Sequence, residues 1–139
     1  AARIFAHLAK ARVVVNDIIQ TEVSDKKANL SFTVGTNDMA PAKEAITEIK
    51  DEVGCDKIIV HDDIAEISVV GVGMRTHYGV ADRMFSALAK AKINIDSITT
   101  SEIRISCIVM QNEAEKALEA VCLAFELDRP AEKRTKAKK

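Results

Sequence analysis

Val80, Met84, Leu88 and Ala91 recur at three- and four-residue spacing, which predicts an amphipathic helix over 79–92. An apolar run over 67–72, opened by Glu66 and closed by Gly71 and Gly73, predicts a buried strand before it. Ile93, Ile95 and the stretch to Thr100 predict a second strand. Ile103, Ile105, Cys107 and Val109 alternate with Arg104, Ser106 and Ile108, which predicts a third. Asn112 stands where a helix cap is needed, and Glu115 three residues on would complete a capping box. Ala114, Ala117, Leu118, Val121, Cys122 and Phe125 give the following helix its apolar face.

The first part of the chain shows the same succession. Residues 13–21 predict a strand, Ser24-Asp25-Lys26-Lys27 a turn, and the alternation Leu30, Phe32, Val34 the next strand. Asn37 or Asp38 is expected to cap a helix with Pro41 in its first turn, where a missing N–H costs little. Ala42, Ala45, Ile46, Ile49 and Val53 form its buried stripe, and Gly54 is a plausible stop. The β-branched run over 57–60 predicts a closing strand.

The two halves are an internal repeat in constant register. Phe5 matches Phe85, Leu8-Ala9-Lys10-Ala11 matches Leu88-Ala89-Lys90-Ala91, Ile18 matches Ile98 and Glu22 matches Glu102. Each unit then reads β-α-β-β-α-β. The expected fold class is α+β: two tandem ferredoxin-like units, each an antiparallel sheet with helices on one face. The expected boundaries are 1–63 for the first unit and 64–128 for the second, with a basic, disordered tail over 129–139. The first unit lacks its opening strand and the second a clear closing strand after Leu127. The expectation is therefore a clipped piece of something longer, or a gap filled by a partner chain.

Composition narrows the function. The 139 residues carry 20 Lys plus Arg against 21 Asp plus Glu, so no global field gathers nucleic acid or an anionic membrane. No apolar run approaches the roughly 20 residues that would span a bilayer. Arg3, His7, Lys10 and Arg12 interrupt the start, so no leader peptide is expected. Cys55, Cys107 and Cys122 form no C-x-x-C pair, which points to reduced thiols and a cytoplasmic setting. No catalytic constellation and no metal site is expected. His61-Asp62-Asp63 has ligand atoms but reads as a connector between the units.

The second unit reads Ile67-Ser68-Val69-Val70-Gly71-Val72-Gly73-Met74 and, later, Asn94-Ile95-Asp96-Ser97-Ile98-Thr99-Thr100-Ser101-Glu102-Ile103-Arg104-Ile105-Ser106. This closely resembles the tandem ACT domains at the C-terminal end of lysine-sensitive aspartate kinases, and the resemblance extends from Ala1 to about Leu127. It implies an amino-acid-binding regulatory module that takes L-lysine, L-threonine or both and mediates feedback inhibition. The implied partners are a kinase catalytic domain or subunit and a second copy, in a homodimer through the ACT units. ATP and magnesium would belong to the kinase domain, so no cofactor is expected for these residues. The chain departs from the family at His77-Tyr78-Gly79, where His-Pro-Gly is usual and the proline ring would pre-set the backbone.

A free amino acid offers a carboxylate and an ammonium. The start of the 79–92 helix can receive the carboxylate, with Gly79 allowing close approach and Val80 and Ala81 donating N–H groups. The resemblance adds His77 in the loop, Gln20, Asn94 and Ile95 on the strands that follow the first helices, and Ser101 and Glu102 at the strand turn. Plainer readings stand beside these. Gly79 can simply start a helix, Gln20 and His77 can be solvated, Asn94 can be a strand-edge residue, and Ser101-Glu102 can be only a turn. Two other functions fit the same element order: a ligand-free dimerisation subunit, and an RNA-binding module of RRM type. The latter lacks the aromatics that stack bases, since the strand in question carries Arg104, Ser106 and Ile108.

Overall fold

The computed structural model describes residues 1–24, 27–72 and 78–127. The tail over 129–139, the turn residues Asp25 and Lys26, and His77 lie outside the described residues. The chain divides into two units, Ala1–Asp62 and Asp63–Lys139.

In the first unit, α1 spans Ala2–Lys10, β1 Val15–Ser24, β2 Lys27–Val34 and α2 Met39–Ile49. The two strands form an antiparallel hairpin that sets Ile18 opposite Phe32 and Gln20 opposite Leu30. An irregularity between Val15 and Ile18 lets the Asp17 N–H donate to Thr33 Oγ1 at 3.1 Å. Leu8, Val13, Ala42 and Ala45 form the buried centre, with Phe5 and Phe32 packed against it. Those two rings meet edge to face, centroids 5.9 Å apart, the geometry their quadrupoles favour.

The entry to α2 corrects one expectation. A 3-10 turn, Thr36–Asp38, precedes the helix, and Asp38 occupies the cap position without a side-chain cap bond. Its Oδ2 instead accepts the Val14 N–H at 3.3 Å, so the carboxylate satisfies the segment before β1. The stop expected at Gly54 comes earlier: α2 ends at Ile49 with Lys50 at its C-cap, and Gly54, φ +66°, closes the turns that follow.

The closing strand expected over 57–60 is not formed. Ile59 and Val60 are 63% and 44% exposed, and the segment carries no strand pairing. In a β-α-β-β-α-β unit the last strand pairs with the first, and the described residues of this unit contain no such partner. β propensity without a ladder leaves a coil.

In the second unit, β3 spans Ile64–Val70, α3 Val80–Lys90, β4 Ser97–Thr100, β5 Arg104–Met110 and α4 Ala114–Ala124. The sheet order is β3-β5-β4, antiparallel throughout, with Ile67 and Ile98 both opposite Cys107. Alternation along β5 sends Ile105, Cys107 and Val109 to one face. There they form a single core with Met84 and Leu88 of α3 and Ala117 and Val121 of α4. Both helices therefore cover the same face, as expected for an α+β unit of this kind.

The other face is polar at its centre. Ser106 is 1% exposed, and its Oγ lies 2.7 Å from Ser68 Oγ. Ser68 Oγ donates to Glu66 Oε1 at 3.1 Å, so Ser106 is the donor to Ser68. Arg104 stands 3.7 Å from the same Glu66 carboxylate.

The strand expected from Ile93 begins only at Ser97. The capping box at Asn112 is also replaced. A 3-10 turn, Gln111–Glu113, comes first and Glu113 takes the cap position without a side-chain bond. The Gln111 N–H donates to the Asp63 carbonyl at 2.7 Å, which ties this turn to the start of β3.

Candidate functional site

β3 and β4 are both antiparallel to β5, so they run parallel to each other, and α3 is the crossover between them. The helix must therefore run back along the sheet. Its C-terminal end is fixed beside the start of β4, because the Ile93 N–H donates to the Leu88 carbonyl at 3.0 Å. Its N-terminal end lies with the C-terminal ends of β3 and β4. Eleven residues at about 1.5 Å rise separate the two ends by about 16 Å.

This geometry sorts the candidate residues of the second unit. At one end stands the start of α3. Gly79 is left-handed, φ +85°, and brings no side chain of its own to cap the first-turn N–H donors. Val80 and Ala81 follow and are half-buried. Asp82, also in the first turn, accepts the Ser86 hydroxyl at 3.4 Å. Ser101 and Glu102 belong to the same end, in the exposed turn that joins β4 to β5. The Ser101 N–H donates to the Arg104 carbonyl at 2.7 Å, and Ser101 Oγ accepts the Ile103 N–H at 3.4 Å. Gly71 at the end of β3 donates to the Ile103 carbonyl at 2.9 Å.

Asn94 and Ile95 stand at the opposite end. Ile95 is half-buried against the core, while Asn94 is exposed and its Nδ2 donates to Asp96 Oδ1 at 3.0 Å. Asp96 in turn donates its backbone N–H to the Ile108 carbonyl at 2.9 Å. Within one unit the helix start and Asn94 cannot touch the same small molecule.

Asp96 is not among the sequence-based candidates. Asn94 and Asp96 stand two residues apart just before β4, and that spacing is the signal by which it could be found.

Gln20 is exposed on β1. Its repeat counterpart is Thr100 of β4, which sits opposite Ile105. Among the described residues β1 pairs only with β2, and β4 only with β5. Each unit thus presents the free edge of its equivalent strand.

The remaining chemistry lies elsewhere. Two surface grooves of the first unit run along α2, past Lys43, Glu44 and Thr47, and between α1 and α2, past His7, Lys10 and Pro41; neither holds a candidate residue. Among the described residues no three His, Cys, Asp or Glu side chains converge on a metal position. Burial pushes the Cys107 thiol up, away from the reactive thiolate form. The Lys27 ammonium donates to Asp56 Oδ2 at 2.6 Å; that bond, then the charge, lowers the Asp56 carboxyl and raises Lys27. No described helix is long and apolar enough to cross a membrane.

The ACT domain family model matches residues 67–125, the second unit from within β3 to the end of α4. The aspartate kinase Ask_LysC of Stutzerimonas stutzeri is 44% identical over 131 residues, which are 94% of this chain and 32% of that protein. The aspartokinase of Pseudomonas aeruginosa is 43% identical over the same shares. The chain thus spans about a third of the length of these curated relatives. Among solved structures, the ligand-free regulatory subunit of aspartate kinase from Thermus thermophilus superposes with TM-score 0.82 at 39% identity, covering 89% of this chain and 82% of that one. The aspartokinase alpha and beta subunits give 0.81 at 35%, covering 90% and 82%. These 139 residues correspond to the regulatory part, and the catalytic domain is not among them. By motif, fold and likeness over nearly its whole length, the chain belongs to the ACT-domain regulatory family of aspartate kinases.

Proposed function

We propose that this chain is an amino-acid sensor that binds L-lysine, L-threonine or both and thereby sets the activity of an aspartate kinase catalytic domain in feedback inhibition. The observation that carries the reading is the placement of complementary groups at opposite ends of one unit. The start of α3 offers N–H donors and a positive dipole end for a carboxylate. The Asn94 end offers acceptors for an ammonium. Neither alone holds a zwitterion.

The second units of two copies of the chain, set edge to edge in antiparallel fashion through their β4 strands, would bring the helix start of one copy beside the Asn94 end of the other. Such pairing also satisfies the free strand edges. The ligand then sits at the seam and stabilises the paired state by its differential affinity for it. On this reading the chain works as a dimer in the cytoplasm, and a catalytic domain or subunit receives the signal.

An RNA-binding role is less well served. The helix-free sheet face carries Glu66, Ser68, Arg104 and Ser106, a hydroxyl and ion-pair network rather than rings that stack bases. A ligand-free dimerisation role shares every feature except the binding itself. Calorimetric titration of the full chain with L-lysine and with L-threonine at millimolar concentration separates the two. Saturable heat with either supports the sensor; none with both contradicts it.

A further inference from the structure

We propose that Asp96 is a positioning residue that fixes which way round the Asn94 side-chain amide is presented, making the second unit selective for a ligand with a free ammonium group. The inference rests on the reading of Asn94 as a ligand contact given above. A carboxylate can only accept hydrogen bonds, so the Asn94 atom 3.0 Å from Asp96 Oδ1 is the amide nitrogen. The other end of the amide, Oδ1, is then an acceptor, and it has no partner among the described residues. An acceptor turned to solvent suits an ammonium and gives nothing to a carboxylate.

Asp96 is itself held. Its N–H donates to the Ile108 carbonyl on the central strand at 2.9 Å, which anchors it to the sheet rather than to a loose loop. An amide whose oxygen and nitrogen exchange places when it is turned over gains direction from one such fixed neighbour. The first unit lacks the device. The repeat-equivalent positions are Val14 and Asn16, so no amide stands at the first and no carboxylate at the second. The Val14 N–H goes to Asp38 Oδ2 instead. The two units are therefore not equivalent towards an amino acid.

The test uses the full chain and the variants Asp96→Ala and Asp96→Asn. Asp96→Ala removes the acceptor; Asp96→Asn removes the charge but keeps a carbonyl that accepts the Asn94 amide. Two readouts are needed: the side-chain NH2 resonances of Asn94 in the ligand-free chain, and calorimetric affinity for L-lysine, L-threonine and their deamino analogues, which carry hydrogen in place of the α-ammonium. Asp96→Ala is expected to shift the Asn94 resonances towards those of a free amide. It is expected to weaken amino-acid binding about fivefold, the scale of one hydrogen bond, and to leave the deamino analogues unchanged. Asp96→Asn is expected to restore most of both. Unchanged Asn94 resonances in Asp96→Ala overturn the proposal. So does equal weakening in both variants, which would make Asp96 a charge contact rather than a positioning group. Binding by the wild-type chain that neither variant alters overturns this proposal alone. No binding by the wild-type chain overturns the sensor reading and this proposal with it.

Discussion

Arg12 and Lys92 occupy equivalent positions of the repeat and hold the same backbone conformation, with φ at 59° and 57°. Each follows the last turn of the first helix of its unit. The bonds around them match as well: Arg12 N–H to the Ala9 carbonyl and Val13 N–H to Leu8, then Lys92 N–H to Ala89 and Ile93 N–H to Leu88, all between 2.9 and 3.0 Å. This double bond pattern closes a helix and turns the chain back onto it. The next residue, Val13 or Ile93, is delivered into the core at 8% or 6% exposure. The repeat therefore extends from sequence to single dihedral angles.

The left-handed region costs an L-residue with a side chain about 1–2 kcal/mol. Glycine avoids that cost but loses more freedom on folding, and the cation at a helix C-terminus contributes a few tenths. Lys92→Gly and Arg12→Gly are each expected to raise stability by roughly 0.5 kcal/mol. Urea unfolding reads this as a higher midpoint with unchanged slope. A lowered midpoint would mean that the side chain, not the backbone, holds the turn.

Leu88 is fully buried between the sheet and α4, in one core with Met84, Cys107, Val109 and Val121. Leu88→Ala is expected to cost about 2–5 kcal/mol, the transfer loss plus the cavity left behind. Leu8, its repeat counterpart, is 1% exposed in a smaller buried cluster. Leu8→Ala is expected towards the lower end of that range, since fewer neighbours hold the void open. Denaturant unfolding of both variants checks the order.

The Lys27–Asp56 pair makes a pH prediction with a defined sign. Asp56 is held below the ordinary 3.8, so its contribution is full above that value and fades as pH falls through the lowered one. Lys27 is held above the ordinary 10.5, so its contribution fades only as pH rises through the raised value. Carbon NMR titration is expected to place the Asp56 midpoint below 3.8 in the wild type and nearer 3.8 in Lys27→Met. Both groups are exposed, so high salt is expected to shrink the difference.

The three free thiols are expected to differ in reactivity. Cys107 is fully buried, and burial raises its thiol further from ionisation; Cys55 and Cys122 are half-buried. Alkylation at neutral pH under native conditions is expected to label Cys107 last, and only at the rate of opening of the second unit. Labelling of Cys107 as fast as Cys55 would contradict the packing of β5.

Much of this fold is legible in the sequence because its elements are decided locally. The stripe Val80, Met84, Leu88 and the alternation Ile105, Cys107, Val109 each carry their own period, and the repeat doubles the signal. What failed was decided by distant partners. Residues 57–60 have the composition of a strand, but pairing requires a ladder that their own segment cannot supply. Asn112 has the spacing of a cap, yet the Gln111 bond to Asp63 pulls the chain into a 3-10 turn and moves the cap to Glu113. At the site, Gly79, Ser101 and Asn94 are each legible as polar or special positions. Residue type does not show their division between two ends, although an eleven-residue helix between Gly79 and Asn94 already implies it.

The proposal that one amino acid bridges the helix start of one copy's second unit and the Asn94 end of a second copy's is tested most directly by amide shift mapping of the full chain. L-Lysine and L-threonine are each titrated, and the backbone signals of Gly79, Val80, Ala81, Asn94 and Ile95 are followed. The account predicts that at least one of the two moves both groups with a single shared midpoint, although about 16 Å of helix separates them within a unit. Shifts at only one end, shifts confined to residues elsewhere, or none with either amino acid would contradict it.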